Sequence, residues 1–290
     1  MRSSSFDDFY MPSSDGLRLH ARLYGEADGD RVPLVCLPGL TRTAQDFHAM
    51  AEILSSDPYH RRVVVVDYRG RGGSAHDPDW RHYSVPVEAV DVRQMLATLG
   101  IKQAVFVGTS RGGLITMLLA ITQNSLIKAS VINDIGPVIE VTGLQRIESY
   151  VGKGTMPKDW GEAVERLRAS NADFTDLTEA EWLDFAGIVY EKGADGFRLA
   201  YDPALGKTLI GIDFSKPLPP AWPMFEALRS VPVLAIRGEN SDLLSEETLA
   251  EMGKRHGNLE IVRVPGEGHA PFLGRERTAR AIADFVMRMG

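Results

Sequence analysis

A serine between two glycines is the first feature of this chain that could do covalent chemistry. Residues 108–112, Gly-Thr-Ser-Arg-Gly, match the pattern G-x-S-x-G. An apolar run at 104–107 precedes the motif and an apolar segment at 113–121 follows it, which predicts a strand, a tight turn and a helix. Such a turn presents the serine hydroxyl above a sheet in a strained conformation. We therefore expect Ser110 to be a nucleophile.

A serine hydroxyl needs a base, and only two of the seven histidines follow Ser110 in the chain. His269 lies in a loop after the last predicted strand, between Gly268 and Pro271. In this kind of site the histidine comes last in the chain order, after the acid. His256 instead ends a predicted helix, where a positive side chain suits the helix dipole, so we interpret it as structural. The predicted base is His269.

The acid that orients this base has three candidates. Asp242 and Glu239 follow the apolar run 233–236, and Asp134 follows the run 129–132. Each of these side chains could instead cap a turn or a helix, which is a common role of aspartate. We favour Asp242, and Asp134 and Glu239 stay open as alternatives.

Acyl transfer also needs donors for the negative oxygen that develops in the transition state. The backbone N–H of Arg111, directly after the nucleophile, is one candidate. The second is the N–H of Leu40, because Gly39 permits unusual backbone geometry in the loop after the run 32–37. Arg42 and the Arg111 side chain could contact a substrate carboxylate, although a surface position fits them equally well.

The elements that must position these residues follow an α/β pattern. Asp15-Gly16 lies between two short segments, the second of which alternates apolar and polar residues, and this predicts an antiparallel hairpin. Continuous apolar runs then predict strands buried on both faces, as in a parallel sheet. These runs are 32–37, 63–66, 104–107, 129–132, 233–236 and 259–264. The helices predicted around them are 44–54, 87–99, 112–122, 246–256 and 275–289.

The alternation of predicted strands and helices is interrupted once, between residues 137 and 222, where no apolar run predicts a buried strand. Helical patterns at 160–169 and 179–190 predict a helical insertion over the carboxyl edge of the sheet, where open α/β sheets hold ligands. We therefore predict a core domain at 1–136 and 223–290 and a helical cap at 137–222. The insertion is rich in aromatic residues, and three of them are candidates for substrate contact. They are Trp160, Trp182 and Tyr190.

The composition excludes several classes of protein. The apolar and charged fractions, 44% and 24%, are near the globular average and supply a core, and no run is long enough to span a bilayer. A net charge of −7 gives no support to nucleic-acid binding. The N-terminal residues 1–8 turn acidic where a signal peptide needs an apolar run. The lone Cys36 suits a reducing compartment, so we expect a cytoplasmic protein without a structural metal.

Five segments together resemble the α/β-hydrolase superfamily. They are residues 37–40, 67–74, 108–112, 237–242 and 268–269, in the order in which the family carries them. The resemblance covers essentially the whole chain. It implies an α/β-hydrolase fold, with a mostly parallel eight-stranded sheet and a helical cap inserted after the sixth strand.

Two departures from the family's patterns narrow the resemblance. Pro38-Gly39 stands where many members have His-Gly, which leaves the backbone donor in place. A serine nucleophile argues against the dehalogenase and epoxide-hydrolase branches, which use a carboxylate. The layout is similar to carboxylesterases, enol-lactonases and hydrolases that cleave carbon–carbon bonds.

We therefore expect hydrolysis of a small carboxylic ester or lactone through an acyl-enzyme, with water as the second substrate and no cofactor or metal. The alternatives are a hydrolase that cleaves a carbon–carbon bond in a diketone acid, and a binding protein that keeps the fold without turnover. The sequence predicts no nucleic-acid or membrane partner, and either a monomer or a homodimer.

Overall fold

A computed structural model describes residues 5–27 and 31–289. The acidic N-terminal stretch, in which the sequence predicts no signal peptide, lies partly outside the described residues. The strands of the described part are β1 (Asp7–Pro12), β2 (Arg18–Tyr24), β3 (Leu34–Leu37), β4 (Val63–Asp67), β5 (Ala104–Thr109), β6 (Ile127–Asn133), β7 (Tyr190–Gly193), β8 (Gly196–Leu199), β9 (Val233–Gly238) and β10 (Leu259–Val264). Its α-helices are α1 (His48–Ser55), α2 (Val85–Thr98), α3 (Arg111–Thr122), α4 (Val141–Tyr150), α5 (Trp160–Ser170), α6 (Glu179–Val189), α7 (Trp222–Glu226), α8 (Glu246–His256) and α9 (Glu276–Met287).

Eight strands form one sheet in the order β1-β2-β4-β3-β5-β6-β9-β10. Along this spatial order, the neighbouring strands β4, β3, β5, β6, β9 and β10 pair in parallel. Strand β2 is antiparallel to both of its neighbours. The β1–β2 hairpin turns at Gly16, which has a φ of 85°. Both the predicted hairpin and the predicted parallel sheet are confirmed. The carboxyl ends of the parallel strands share one edge, where α/β sheets place their ligands.

The parallel strands are buried on both faces, which explains their continuous apolar sequences. In β5, Phe106 packs into the layer that contains Ile115 of α3. Its neighbours Val105 and Val107 face the opposite layer, which contains Phe285 of α9. Helices therefore cover the sheet on both sides and hold the strand ends rigidly.

The predicted helices outside the insertion are confirmed, with one local difference. The segment predicted as a helix over 44–54 begins as a 3₁₀ turn, Ala44–Phe47, before α1. Thr43 precedes this turn, and its side chain accepts a hydrogen bond from the backbone N–H of Gln45. Satisfying a free N–H in this way stabilises a tight first turn.

Between β6 and β9 the chain contains the two predicted helices, as α5 and α6, together with α4 and a small hairpin that the sequence does not predict. The strands β7 and β8 form a separate two-stranded antiparallel sheet, and each is four residues long. Strands this short and this exposed carry too few apolar residues to be recognised from a pattern. The division into a core and a cap at residues 137 and 222 stays a prediction.

None of the helices within residues 5–27 and 31–289 has the length and apolar character needed to cross a membrane.

Candidate active site

Ser110 occupies the turn between β5 and α3. Its backbone has φ 50° and ψ −111°, and a positive φ is strained for a residue with a side chain. The Ser110 N–H donates to the carbonyl of Asn133 at 2.9 Å, and its own carbonyl accepts the N–H of Gly113 at 2.9 Å. These bonds hold the strained residue between the sheet and the helix.

Gly112 allows this turn to pack against the sheet. A Cβ placed on Gly112 would lie 1.9 Å from the carbonyl oxygen of Leu37 in β3. Real side-chain carbons do not approach an oxygen so closely, so the start of α3 can lie here only without a side chain. The second glycine of the motif is thus required by the close approach of helix and sheet.

His269 connects Ser110 to a carboxylate. Its Nε2 lies 2.9 Å from the hydroxyl oxygen of Ser110, and its Nδ1 lies 2.8 Å from Oδ2 of Asp134. A carboxylate only accepts hydrogen bonds, so Nδ1 carries the proton and Nε2 is free to accept from the serine hydroxyl. Asp134 is fully buried and His269 nearly so. These three side chains have the arrangement of a nucleophile, a base and an orienting acid.

Asp134 is held in place by further donors. It follows β6 directly and has a φ of 54°. Its Oδ1 accepts the N–H of Gly238 at 2.8 Å, and its Oδ2 accepts the hydroxyl of Ser241 at 2.6 Å. Three donors, His269 among them, thus fix the orientation of this carboxylate.

The pairing predicted between Asp242 and His269 is wrong in this structure. Asp242 instead accepts two hydrogen bonds from Arg146 of α4, at 2.6 and 2.8 Å. Burial opposes ionisation of Asp242, but these bonds hold its pKa below the usual range. The third candidate, Glu239, accepts the backbone N–H of Gly266 at 3.3 Å. Among the three predicted acids, Asp134 is the one bonded to the histidine.

Arg146 also lies near a second carboxylate, that of Asp173, at 3.6 Å. Asp173 accepts the backbone N–H of His269 at 3.2 Å, and burial raises the pKa of this carboxyl. Arg146 and Asp173 both come from the insertion, and sequence analysis did not single out either one. Nothing in the local pattern marks them, because their partners lie about a hundred residues away in the chain.

The backbone donors predicted for an oxyanion surround Ser110. Arg111 is the first residue of α3, so its N–H has no partner within the helix. Gly39 and Leu40 line the same cavity as Ser110 and His269. The Arg111 side chain points elsewhere, since its guanidinium donates to Glu88 at 2.5 Å. It is therefore engaged in a buried ion pair and is not free for a substrate carboxylate.

Two cavities meet at Ser110, and Leu40 and Ile147 also line both of them. One, of about 230 Å³, contains His269 and many polar groups, and we call it the polar cavity. The other, of about 430 Å³, is mostly aliphatic, and we call it the apolar cavity. A substrate bound at Ser110 can therefore extend in two chemically different directions.

The structure separates the four residues predicted to contact substrate. Arg42 and Tyr190 line the polar cavity. Trp182 is buried in the core of the insertion, stacked on Phe185 with ring centroids 5.9 Å apart. Trp160 packs against Phe197 and lines a separate surface groove. The predicted substrate contacts of Trp160 and Trp182 are thus wrong in this structure, because both rings are used to pack the insertion.

Other residues of the insertion line the polar cavity although sequence analysis did not predict them as contacts. Among them are Tyr150, Lys153 and Tyr201. Tyr150 ends α4, a helix that the sequence does not predict, and α4 brings it over the strand edge. A helical pattern over 141–150 is the signal that would have identified Tyr150 as a residue of the cavity wall.

One cluster in the described residues has the composition of a metal site, and it consists of Asp15, Asp77 and His82. Arg69 already donates to both carboxylates, at 2.9 Å to Asp15 and 2.6 Å to Asp77. The cluster is therefore explained by ion pairing with a buried arginine.

Comparison with known proteins identifies the family of this chain. Residues 34–284 match the model of the alpha/beta hydrolase family. The chain is 37% identical to a 3-hydroxybutyrate-oligomer hydrolase of Cupriavidus necator, over 87% of this chain and 88% of that one. It is 30% identical to a 2-(acetamidomethylene)succinate hydrolase of Mesorhizobium japonicum, over 77% and 78% of the two chains.

The fold matches solved structures as well. A crystal structure of an alpha/beta hydrolase from Novosphingobium aromaticivorans superposes with a TM-score of 0.89 at 38% identity and covers 99% of both chains. The family match spans most of the chain, and the named relatives are hydrolases. The chain therefore belongs to the alpha/beta hydrolase family and is an enzyme of the hydrolase class.

Proposed function

We propose that the protein is a serine hydrolase that cleaves a small carboxylic ester through an acyl-enzyme intermediate. The observation that carries this proposal is the continuous path from Asp134 through His269 to Ser110, with distances of 2.8 and 2.9 Å. Asp134 takes the role of the acid for which Asp242 is the favoured candidate in the sequence.

In the first half of the reaction, the Ser110 oxygen attacks the ester carbonyl carbon while its proton moves to Nε2 of His269. Asp134 holds the imidazole in the reactive tautomer and stabilises the imidazolium that forms. The N–H groups of Leu40 and Arg111 would donate to the oxyanion. The carbon–oxygen bond to the alcohol then breaks, and His269 returns its proton to the leaving oxygen.

In the second half, water takes the place of the alcohol. His269 removes a proton from this water, which attacks the acyl-enzyme carbonyl carbon. The bond to the Ser110 oxygen then breaks, His269 returns the proton to that oxygen, and the carboxylic acid leaves. The chemistry needs only these side chains and the two backbone donors. A lactone would react in the same way, with its alcohol remaining attached to the acyl group.

Esters of hydroxy acids are the first substrates to test. The relative from Cupriavidus necator is named for hydrolysis of 3-hydroxybutyrate oligomers, in which each ester joins an acyl group to a hydroxy acid. In this chain, Arg42 and the tyrosines Tyr150 and Tyr190 line the polar cavity beside His269. Such groups suit an oxygen-rich alcohol portion of this kind.

Cleavage of a carbon–carbon bond is the enzymatic alternative. The branches of the family that perform it resemble ester hydrolases in their triad and cap, so the geometry around Ser110 serves either reaction. Measuring turnover of a 3-hydroxybutyrate dimer beside turnover of a diketone acid separates them. Cleavage of the diketone acid alone would replace the ester proposal.

The proposal is tested with a fluorophosphonate probe followed by peptide mass spectrometry. We expect the adduct on Ser110 in the wild-type protein and its loss in the Ser110→Ala and His269→Ala variants. Ser125→Ala, which changes an exposed serine at the far end of α3, is the matched control and should label normally. Labelling and ester turnover that persist in Ser110→Ala would overturn the assignment of the nucleophile.

A further inference from the structure

His269 lines one of the two cavities that meet at Ser110, and this makes the two cavities chemically unequal. The imidazole and the adjacent Ala270 line the polar cavity. Within the described residues, the wall of the apolar cavity includes Ser110 and Arg111 but not His269. The nucleophile therefore lies at the junction, and the proton donor lies on one side of it.

This asymmetry determines which half of an ester occupies each cavity. When the carbon–oxygen bond breaks, the leaving oxygen must receive a proton from Nε2 of His269, so it must lie within hydrogen-bond reach of that atom. The alcohol portion therefore extends into the polar cavity. The acyl portion, on the other side of the carbonyl carbon, extends into the cavity that His269 does not line.

From this arrangement, and resting on the proposed function, we propose a substrate class for the site. The preferred substrate is a hydrocarbon acyl chain, longer than acetyl, esterified to an alcohol that carries a carboxylate. The acyl chain lies in the apolar cavity and the hydroxy acid in the polar cavity. The products are a fatty acid and a hydroxy acid, with one water consumed.

The lining of the apolar cavity supports a hydrocarbon occupant. Its wall is built mainly from aliphatic side chains, among them Leu114, Ile135, Ile139, Leu144, Ile212 and Leu243. The guanidinium groups at its margin are already bonded, that of Arg111 to Glu88 and that of Arg81 to Asp79. A cavity of about 430 Å³ with this lining gains free energy chiefly from burying methylene groups.

The lining of the polar cavity supports an oxygen-rich, anionic occupant. In the described part of the chain, no hydrogen bond engages the hydroxyl of Tyr150 or of Tyr190, so both can donate to a ligand. Arg42 contacts Asp46 only at 3.3 Å, while its guanidinium lies 4.2 Å from the centre of the Phe185 ring. Asp46 is the carboxylate that this guanidinium contacts, and burial raises its pKa.

Two further cations line the polar cavity, Lys153 and Arg166. They pair with Glu148 at 2.5 Å and with Glu162 at 2.6 Å, and neither glutamate lines the cavity. Because these two cations are already paired, Arg42 is the wall cation with the longest contact to its carboxylate partner, 3.3 Å to Asp46. A ligand carboxylate placed beside it meets this guanidinium and two phenol donors.

The test uses two matched series of esters. One series is 3-acyloxybutyrate with acyl groups from acetyl to octanoyl, and the other is the corresponding 3-acyloxybutyramide, which lacks the negative charge. We expect kcat/KM to rise about threefold to fourfold for each methylene until the apolar cavity is filled. We also expect each carboxylate to react at least tenfold faster than its amide.

Two substitutions then separate the cavities. Leu144→Phe fills the apolar cavity and should move the optimum to shorter acyl groups, with the carboxylate-to-amide ratio unchanged. Tyr190→Phe removes one hydroxyl from the polar cavity and should lower that ratio, with the dependence on acyl length unchanged. Ile212→Phe narrows the same apolar wall and replaces Leu144→Phe if the latter does not fold.

The outcomes distinguish this inference from the proposed function. Labelling of Ser110 and hydrolysis of these esters with no dependence on acyl length, or with faster reaction of the amides, would overturn the assignment of the cavities alone. Exchange of the two effects between Leu144→Phe and Tyr190→Phe would mean that the ester binds in the opposite direction. Absence of Ser110 labelling would instead overturn the proposed function.

Discussion

Oδ2 of Asp134 lies 2.8 Å from Nδ1 of His269, although 135 residues separate the two in the chain. Asp134 follows β6, whereas Asp242 follows the adjacent strand β9 and is paired with Arg146. Both carboxylates therefore lie at the same edge of the sheet. Only one of them can orient the imidazole, because the other is already engaged by a guanidinium.

The two aspartates should differ strongly in their effect on activity. We expect Asp134→Asn to lower kcat by roughly four orders of magnitude, because an amide cannot hold the imidazole in the reactive tautomer. Asp242→Asn should lower kcat less than about tenfold. Steady-state hydrolysis of a p-nitrophenyl ester measures both, with circular dichroism as the control for folding. The reverse ranking would mean that Asp242 is the acid in solution.

The ion pair between Arg146 and Asp242 should stabilise the attachment of α4 to the sheet edge. Arg146→Gln leaves the carboxylates of Asp242 and Asp173 without their cation and should lower the free energy of unfolding by about 1–3 kcal/mol. We expect less than for a fully buried pair, since the two side chains remain 21% and 28% exposed.

A double-mutant cycle in urea checks this interaction. The variant Arg146→Gln/Asp242→Asn should lose less stability than the sum of the two single variants, because the carboxylate left unpaired by the first change is absent. Strictly additive losses would show that the two side chains do not interact in solution.

Gly112 should be intolerant of any side chain. We expect Gly112→Ala to lower the free energy of unfolding by at least about 3 kcal/mol and to abolish probe labelling, because the new Cβ would collide with the carbonyl of Leu37. Gly253, in α8, is the matched control, since a Cβ there meets nothing closer than 3.7 Å. Gly253→Ala should be stabilising by about 0.5–1 kcal/mol.

Thermal and urea unfolding of the two glycine variants measure this difference. A Gly112→Ala protein with normal stability and labelling would show that the turn at Ser110 can relax away from β3.

His256 should make stability depend on pH. The sequence suggests a positive side chain at the end of α8, but the imidazole is buried, and Nε2 lies 2.9 Å from the carbonyl of Leu228. Burial lowers the pKa of His256. His256 therefore binds a proton less readily in the folded state than in the unfolded state, where a histidine titrates at about pH 6.5. Its contribution to stability is complete above that pH and is lost as the pH falls through the lower, folded pKa.

Urea unfolding of the wild type and of His256→Gln between pH 5 and pH 8 tests this expectation. Glutamine can donate to the same carbonyl but does not titrate, so the variant should lack the part of the acid-induced loss that comes from His256. Parallel stability curves for the two proteins over this range would show that His256 does not titrate differently on folding.

The sequence by itself determines the architecture and predicts the nucleophile. The apolar runs predict strands buried on both faces, and the glycines around Ser110 predict a turn that few other sequences can form. Both can be predicted from patterns that span only a few residues, namely the apolar run at 104–107 and the glycines on either side of Ser110. The order of Ser110 and His269 along the chain then places the base at the same sheet edge.

Only the tertiary structure decided which carboxylate reaches His269 and which aromatic side chains line the cavities. Asp134 and Asp242 have similar local settings, since each lies in the loop that follows a buried parallel strand. What separates them is Arg146, which lies 96 residues before Asp242 on a helix that the sequence pattern does not reveal. Likewise, Trp182 packs inside the insertion and Tyr190 faces the cavity, because the direction of a side chain depends on how helices pack and not on spacing along one segment.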